Sequence, residues 1–158
     1  MEGGLSWYFA YGSNMSALRL FEERLKPEGV PVGERIAGRL DGWRLAFNKR
    51  GRTPVGAGAG DIMLAPGEAV HGTLNLLPAQ GFEVLDRYEG VSGGHYERRI
   101  VPVVRGDTGV PVEAITYVAL LTGDDLRPTR AYLGHLLAGH DLLPADYFRR
   151  LSETLTVD

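Results

Sequence analysis

The sequence contains no cysteine, no long apolar run and no block of like charge. Without cysteine there is no disulfide framework, no thiol nucleophile and no thiolate metal site. A reducing cytoplasm is compatible with such a chain. No stretch reaches the roughly 18 apolar residues that a membrane span needs, and the N-terminus lacks the basic start and apolar core of a signal peptide. We therefore expect a cytoplasmic protein that is not inserted in a membrane.

The charge balance argues against nucleic acid and anionic lipid as partners. Seventeen basic and twenty acidic side chains give a formal net charge of −3, and no cluster of one sign would attract a polyanion. With 158 residues, 44% of them hydrophobic and 23% charged, the chain has the size and composition of one globular domain. We expect a single domain over residues 1–158. Its oligomeric state is left open, with a homodimer as one option.

The pattern of apolar residues predicts strands in the middle of the chain and helices toward both ends. A buried strand at Trp7–Tyr11 is followed by a turn and by a helix that ends near Pro27. Strand-forming residues, several in period-2 alternation, predict strands around 43–47, 62–64, 70–76, 95–104 and 110–120. A turn is expected at Pro66–Gly67. Helices are expected at 79–88 and from Pro128 and Pro144 onward. The order indicates an α+β fold, with a small mixed, curled β-sheet or barrel and peripheral helices.

The segment Tyr11-Gly12-Ser13-Asn14 is the first candidate site. Ser13 or Asn14 can cap a helix that follows the turn. A helix start leaves amides unpaired and carries partial positive charge, so this turn is suited to a carboxylate or a developing oxyanion. The segment matches neither a nucleotide-binding glycine pattern nor G-x-S-x-G, which leaves Ser13 little support as an acyl nucleophile. A plain capped turn is the alternative interpretation.

The segment Leu85–Val91 is the second candidate site. If Gly90 is the first residue beyond a helix, Glu89 lies at the negative end of the helix dipole. The dipole, the apolar neighbours and the like charge of Asp86 should raise the pKa of Glu89 toward the range useful for general acid–base catalysis. An exposed glutamate before a turn glycine is the alternative interpretation.

The remaining polar residues predict no metal site. The four histidines are spread along the chain at His71, His95, His135 and His140. The last two are five residues apart, so on a helix they diverge instead of facing one metal ion. Three tyrosines lie in apolar stretches although each hydroxyl needs a partner: Tyr96, Tyr117 and Tyr132. Core packing is the alternative role for all three.

The order of motifs along nearly the whole chain resembles the gamma-glutamylcyclotransferase-like family, also called the AIG2-like family. The segments that carry this resemblance are Tyr8–Met15, Gly42–Asn48, Asp61–Ile62, Val70–Leu74, Leu85–Val91, Tyr96–Arg98, Thr116–Tyr117, Tyr132–Leu133 and Leu143–Tyr147. The chain departs from the family pattern at Gly60, where an alanine is usual, and in the glycine-rich stretch Gly56–Gly60. These departures affect the expected pocket rim, and therefore the identity of the substrate more than the chemistry.

The resemblance implies a compact mixed barrel flanked by helices and no cofactor. It implies that Glu89 is the general acid/base and that Tyr11, Gly12, Ser13 and Asn14 hold the substrate. Three tyrosines are implied as pocket walls: Tyr96, Tyr117 and Tyr132. Members of the family release 5-oxoproline from gamma-glutamyl amino acids or gamma-glutamyl amines, so the expected partner is a small gamma-glutamyl compound. Its α-amine attacks its own γ-carbonyl, so the enzyme mainly folds the substrate and moves protons.

Other functions stay open at this point. A non-catalytic module can hold a small anionic metabolite in the same turn, although an anion binder gains nothing from a neighbouring carboxylate. A cyclotransferase specialised for gamma-glutamylamines or for a pathway-specific gamma-glutamyl intermediate is a second alternative. A serine hydrolase that uses Ser13 is a third, and it would react covalently with a fluorophosphonate. The leaving amine, and whether the loop amides hold a substrate carboxylate or the oxyanion, are not determined by the sequence.

Overall fold

In the computed structural model, which describes residues 4–51 and 54–158, five strands close into a barrel. The strands are β1 (Leu5–Ala10), β2 (Arg35–Arg50), β3 (Gly58–Pro78), β4 (Tyr96–Arg105) and β5 (Pro111–Ala119). The α-helices are α1 (Ala79–Glu89), α2 (Arg130–Leu137) and α3 (Ala145–Ser152). A π-helix spans Leu18–Leu25, and short 3₁₀ turns span Ser13–Met15, Lys26–Glu28 and Val91–Gly93. No helix within the described residues has the length and apolar character needed to cross a membrane.

The strand order around the barrel is β1-β3-β2-β4-β5. Neighbouring strands are antiparallel except at one seam, where β1 runs parallel to β5 with Trp7 opposite Ala114 and Tyr8 opposite Ile115. This seam closes the barrel and places the end of β1 beside β5. The prediction of a mixed, curled barrel with peripheral helices is confirmed, as are the three predicted α-helices.

The two faces of β1 contribute to different parts of the core. Phe9 packs with other strand residues, among them Leu40 and Leu74. Tyr8, on the opposite face, packs with helical residues such as Leu85. This alternation follows from the period of two in a strand. As a result, the end of β1 lies between the strands of the barrel and the helices that cover it.

The prediction of a turn at Pro66–Gly67 is wrong. β3 continues through these residues, and the β2–β3 register shifts there, from Asp41 opposite Ala69 to Trp43 opposite Leu64. The irregularity accommodates Pro66, which cannot donate to the sheet. It makes β2 and β3 one long, bent antiparallel pair.

The helix predicted after the turn is present, but it is a π-helix that starts later than expected, and the expected cap by Ser13 or Asn14 is not found. The chain makes a single 3₁₀ turn at Ser13–Met15, and the π-helix begins only at Leu18. No side chain caps either segment. Ser13 and Asn14 instead bond to arginine side chains of the π-helix. A turn of three residues carries little dipole, so the helix-dipole part of the anion-site prediction does not apply to this loop.

Candidate active site

A cavity of about 170 Å³ lies where the loop after β1, the end of α1 and the start of α2 meet. All of the site residues predicted from the sequence line it: Tyr11, Gly12, Ser13, Asn14, Glu89, Tyr96, Tyr117 and Tyr132. Other lining residues were not singled out as site residues from the sequence, notably Tyr8, Arg19 and Arg24. Gly60, which the sequence analysis placed at the pocket rim, lines the cavity as well. The barrel therefore collects residues that are widely separated in the sequence around one small space.

Glu89 is the last residue of α1, and its side chain is only partly exposed. Gly90 ends the helix in a left-handed conformation, with φ 66°, and its amide bonds to the Arg87 and Asp86 carbonyls. Burial raises the pKa of Glu89 to about 7, against the opposing effect of the nearby cations Arg24, Arg19 and Lys49. The carboxyl can therefore both accept and release a proton near neutral pH.

The expected contribution of Asp86 to this pKa is not found. Its carboxylate accepts two hydrogen bonds from Arg98, at 2.8 and 2.7 Å, and one from the Tyr117 hydroxyl at 2.7 Å. The guanidinium neutralises the charge that was expected to act on Glu89, and Asp86 is not among the causes of the raised pKa. The direction of the predicted shift is correct, but burial is its main cause.

Two arginines of the π-helix make the cavity wall cationic. On an α-helix, positions five apart point about 140° away from each other. The i→i+5 hydrogen bonds of a π-helix place such positions about one turn apart, on nearly the same face. Arg19 Nε donates to Ser13 Oγ at 3.2 Å, and Arg24 Nη1 donates to Asn14 Oδ1 at 2.8 Å. The helix type therefore explains why both arginines reach the site.

Three cavity tyrosines use their hydroxyl protons within the protein. Tyr11 donates to the Tyr117 carbonyl at 2.6 Å, and Tyr96 donates to the Gly60 carbonyl at 2.7 Å. Tyr117 donates to Asp86. Burial is the main reason that the pKa values of these phenols lie well above their ordinary value, so all three stay neutral. They form walls of the cavity and connect its strands.

The Tyr132 hydroxyl, unlike the other three, accepts a hydrogen bond from the protein. Its oxygen accepts the Gly60 amide at 2.8 Å. Burial raises its pKa to about 12, while the amides of Gly60 and Ser13 lower it. An added Cβ at Gly12 or at Gly60 would lie 3.0 Å from the Tyr132 oxygen, so both positions are close-approach glycines. Since the oxygen accepts, the hydroxyl proton is free to face the cavity.

Ser13 lacks the partner that a nucleophile needs. Its hydroxyl accepts from the guanidinium of Arg19, which stays protonated and does not act as a base. The histidine nearest to this network, His135, lies 3.4 Å from Arg19 Nη1 and makes no bond to Ser13 among the described residues. The geometry does not favour a serine hydrolase.

The histidines do not form a metal site in the described part of the chain. His71 packs on Tyr147, and His140 packs on Phe148. No group of three His, Asp or Glu side chains lies close enough to hold a metal ion within residues 4–51 and 54–158.

The sequence model of the AIG2-like family matches residues 69–151 of this chain. This match covers more than half of the 158 residues. The chain therefore belongs to the AIG2-like family. Comparison with curated proteins gave no significant match.

Solved structures share this fold along nearly the whole chain. A structure described as a gamma-glutamyl cyclotransferase is 24% identical with a TM-score of 0.83, and the match covers 98% of this chain and 90% of that chain. The uncharacterized human protein LOC79017 is 25% identical with a TM-score of 0.82 and the same coverage. A yeast gamma-glutamyl cyclotransferase specific to glutathione is 13% identical with a TM-score of 0.62, covering 95% of both chains.

Proposed function

We propose that this protein is a cyclotransferase that releases 5-oxoproline and a free amine from a small gamma-glutamyl compound. The observation that carries this proposal is a partly buried carboxyl, Glu89, with a pKa raised to about 7, in the same cavity as the Tyr11–Asn14 loop. Family membership and the gamma-glutamyl cyclotransferases with the same fold support it. We take residues 1–158 as one catalytic domain that acts in the cytoplasm.

Glu89 serves as both base and acid in the proposed reaction. Its carboxylate takes a proton from the α-ammonium group, and the resulting amine attacks the γ-carbonyl carbon to close a five-membered ring. The protonated Glu89 then gives this proton to the leaving nitrogen as the original C–N bond breaks and the carbonyl re-forms. The ring nitrogen still carries one extra proton, which Glu89 takes in turn and passes to the released amine, so that the amine departs as an ammonium ion and the Glu89 carboxylate is restored. One carboxyl with a pKa near neutrality suits both steps. The substrate supplies nucleophile and electrophile, so the chemistry requires no cofactor.

The rest of the cavity positions the substrate. The loop amides of Gly12–Asn14 and the free hydroxyl proton of Tyr132 are suited to the substrate's α-carboxylate. Arg19 and Arg24 add positive charge on the same side. The walls formed by Tyr11, Tyr96 and Tyr117 limit the size of the glutamyl moiety.

The first test is chemical detection of the product. Purified protein is incubated with gamma-glutamyl dipeptides, gamma-glutamylamines and gamma-glutamyl-lysine, and 5-oxoproline is measured by mass spectrometry. Glu89→Gln should lower kcat by about 10²-fold or more, because proton transfer is lost while shape is kept. Glu83→Gln, an exposed change on the same helix, is the matched control and should keep the wild-type rate.

Two outcomes would contradict this proposal. Full activity of Glu89→Gln would remove the role of Glu89. Micromolar binding of an anionic gamma-glutamyl compound in calorimetry, with no product from any substrate, would instead favour a non-catalytic binding module.

A further inference from the structure

A chain of hydrogen bonds connects a charged residue at the cavity to a buried phenol. Arg24 Nη1 donates to Asn14 Oδ1 at 2.8 Å, and Asn14 Nδ2 donates to the Tyr8 hydroxyl at 3.0 Å. Asn14 and Tyr8 are both buried, and all three residues line the cavity. The mechanism proposed above gives Tyr8 no role.

The chemistry of the three groups determines the direction of this chain. A guanidinium can only donate hydrogen bonds, so the Asn14 atom facing Arg24 must be the amide oxygen. The amide nitrogen then faces Tyr8 and donates to its oxygen. Tyr8 therefore accepts from Asn14, and its own proton must point elsewhere. The positive charge of Arg24 polarises the amide and makes Tyr8 a stronger donor.

The surroundings of Tyr8 leave its proton to the cavity. No acceptor for this proton is found among the described residues. Edge-to-face packing holds the ring, with centroids 6.3 Å from Phe82 and 6.0 Å from Tyr117. Burial, followed by the charge of Glu89, raises the pKa of Tyr8 well above its ordinary value. The phenol therefore stays protonated, and it lines the same cavity as Glu89.

We propose that Tyr8 donates a hydrogen bond to the γ-carbonyl oxygen of the substrate and to the oxyanion that replaces it. Asn14 and Arg24 are positioning residues that orient this donor. The inference rests on the proposed cyclotransferase function and adds the group that stabilises charge in its transition state.

The carbonyl oxygen is the substrate atom best placed for this contact. Glu89 must reach the attacking nitrogen and the leaving nitrogen, and both are bonded to the γ-carbonyl carbon in the tetrahedral intermediate. The oxygen on that carbon therefore lies on the cavity side of Glu89, and Tyr8 lines the same cavity. The loop amides and Tyr132 remain for the α-carboxylate. Tyr8 thus acts where negative charge develops and not where it is already present.

The first experiment removes the donor. Tyr8→Phe should lower kcat by about 10²-fold, with KM changed by less than about 3-fold, because a group that binds the oxyanion acts mainly in the transition state. Tyr147→Phe is the matched control, since it removes another buried hydroxyl that does not line the cavity. It should keep the wild-type kcat.

The second experiment reverses the direction of the hydrogen bond between residue 14 and Tyr8. In Asn14→Asp, one carboxylate oxygen still accepts from Arg24, but the other now faces Tyr8 and accepts its proton. The hydroxyl turns away from the substrate, and kcat should fall as in Tyr8→Phe. The melting temperature should not fall, because the pairing with Arg24 becomes charge-assisted. In a Tyr8→Phe background, Asn14→Asp should have little further effect on kcat measured on the high-pH plateau, where Glu89 is ionised in both proteins, whereas a merely structural role would add its own loss there.

The results separate this inference from the function on which it rests. A wild-type protein that makes no 5-oxoproline would overturn both. An active wild-type with an unchanged kcat in Tyr8→Phe would overturn the donor alone. A raised KM at unchanged kcat would overturn the assignment to the oxyanion, because that pattern indicates a contact with the α-carboxylate.

Discussion

Burial and the neighbouring cations have opposing effects on the ionisation of the Glu89 carboxyl. Burial disfavours the carboxylate, whereas Arg24, Arg19 and Lys49 favour it, with Arg24 the largest of the three. The resulting pKa of about 7 lies between those of a free carboxyl and of an isolated buried one. Residues around Glu89 thus set the pH range in which it can act as a base.

The pH dependence of the rate should show this balance. Glu89 must be ionised to accept the α-ammonium proton, so kcat/KM should rise with pH through about 7 and then reach a plateau. Arg24→Gln should move this rise to higher pH, because it removes the cation that most lowers the pKa of Glu89. The measurement is kcat/KM from about pH 5 to about pH 9. A rise at the same pH in both proteins would contradict the assignment.

At the level of elements, helix type and helix ends position the functional groups. The π-helix brings Arg19 and Arg24 to one face, where they bond the loop residues Ser13 and Asn14. The left-handed Gly90 ends α1 directly after Glu89 and leaves its side chain at the cavity. Both features depend on backbone geometry over a few residues.

Gly90 and Gly94 offer a matched test of that geometry. Both are left-handed, at φ 66° and 76°. A Cβ atom added at Gly90 would lie 2.8 Å from His95 Cδ2, whereas a Cβ atom added at Gly94 would have no neighbouring atom within 4 Å. Gly94→Ala should cost about 1–2 kcal/mol from backbone strain alone. Gly90→Ala should cost about 1–3 kcal/mol more, because His95 must move.

Chemical denaturation and the 5-oxoproline assay check this prediction together. Gly90→Ala should also lower activity, because the end of α1 shifts with Glu89, while Gly94→Ala should keep it. Equal stability and activity in the two variants would show that the packing of His95 against Gly90 does not matter.

At the scale of the whole molecule, closure of the barrel creates the cavity. The β1–β5 seam brings the Tyr11–Asn14 loop beside Tyr117, and α1 and α2 complete the walls with Glu89 and Tyr132. These residues have no local sequence relationship. The site exists only when the complete chain is folded, so the state of the site and global stability are coupled.

Global stability should therefore depend on the ionisation of Glu89. Its pKa is about 7 in the folded protein, against an ordinary value of 4.5. Between these values the folded state binds more protons than the unfolded state, so stability falls as pH rises from about 4.5 to about 7 and then stays level. The loss amounts to at most about 3 kcal/mol.

Glu89→Gln cannot ionise and should not show this loss. It should be more stable than the wild type at about pH 8 and similar to it at about pH 4.5. Urea unfolding at these two pH values measures the difference, with Glu83→Gln as the control that should follow the wild type. Parallel pH profiles for Glu89→Gln and the wild type would show that this carboxyl ionises normally.

Local patterns predicted much of the fold. Period-2 alternation in residues such as Trp43 and Leu45 predicted strand β2, and Gly90 predicted the end of α1. The turn at Pro66–Gly67 was wrong because a local turn signal cannot show that two long strands pair across a register shift. The helix after the Gly12 turn was predicted, but its π-type and its late start were not, because a local apolar pattern does not show that Arg19 and Arg24 bond the loop in the folded chain.

The sequence by itself determined the order of strands and helices and the candidate residues Glu89 and Tyr11–Asn14, because these depend on short-range patterns and on motifs that resemble a family. Only the tertiary structure decided which tyrosine hydroxyls donate their protons to protein groups and which keep them free for the cavity. Tyr96 and Tyr132 look equivalent in the sequence, yet Tyr96 donates to Gly60 while Tyr132 accepts from it. The direction of a hydrogen bond depends on which group lies opposite in the folded chain, and no local pattern contains that information.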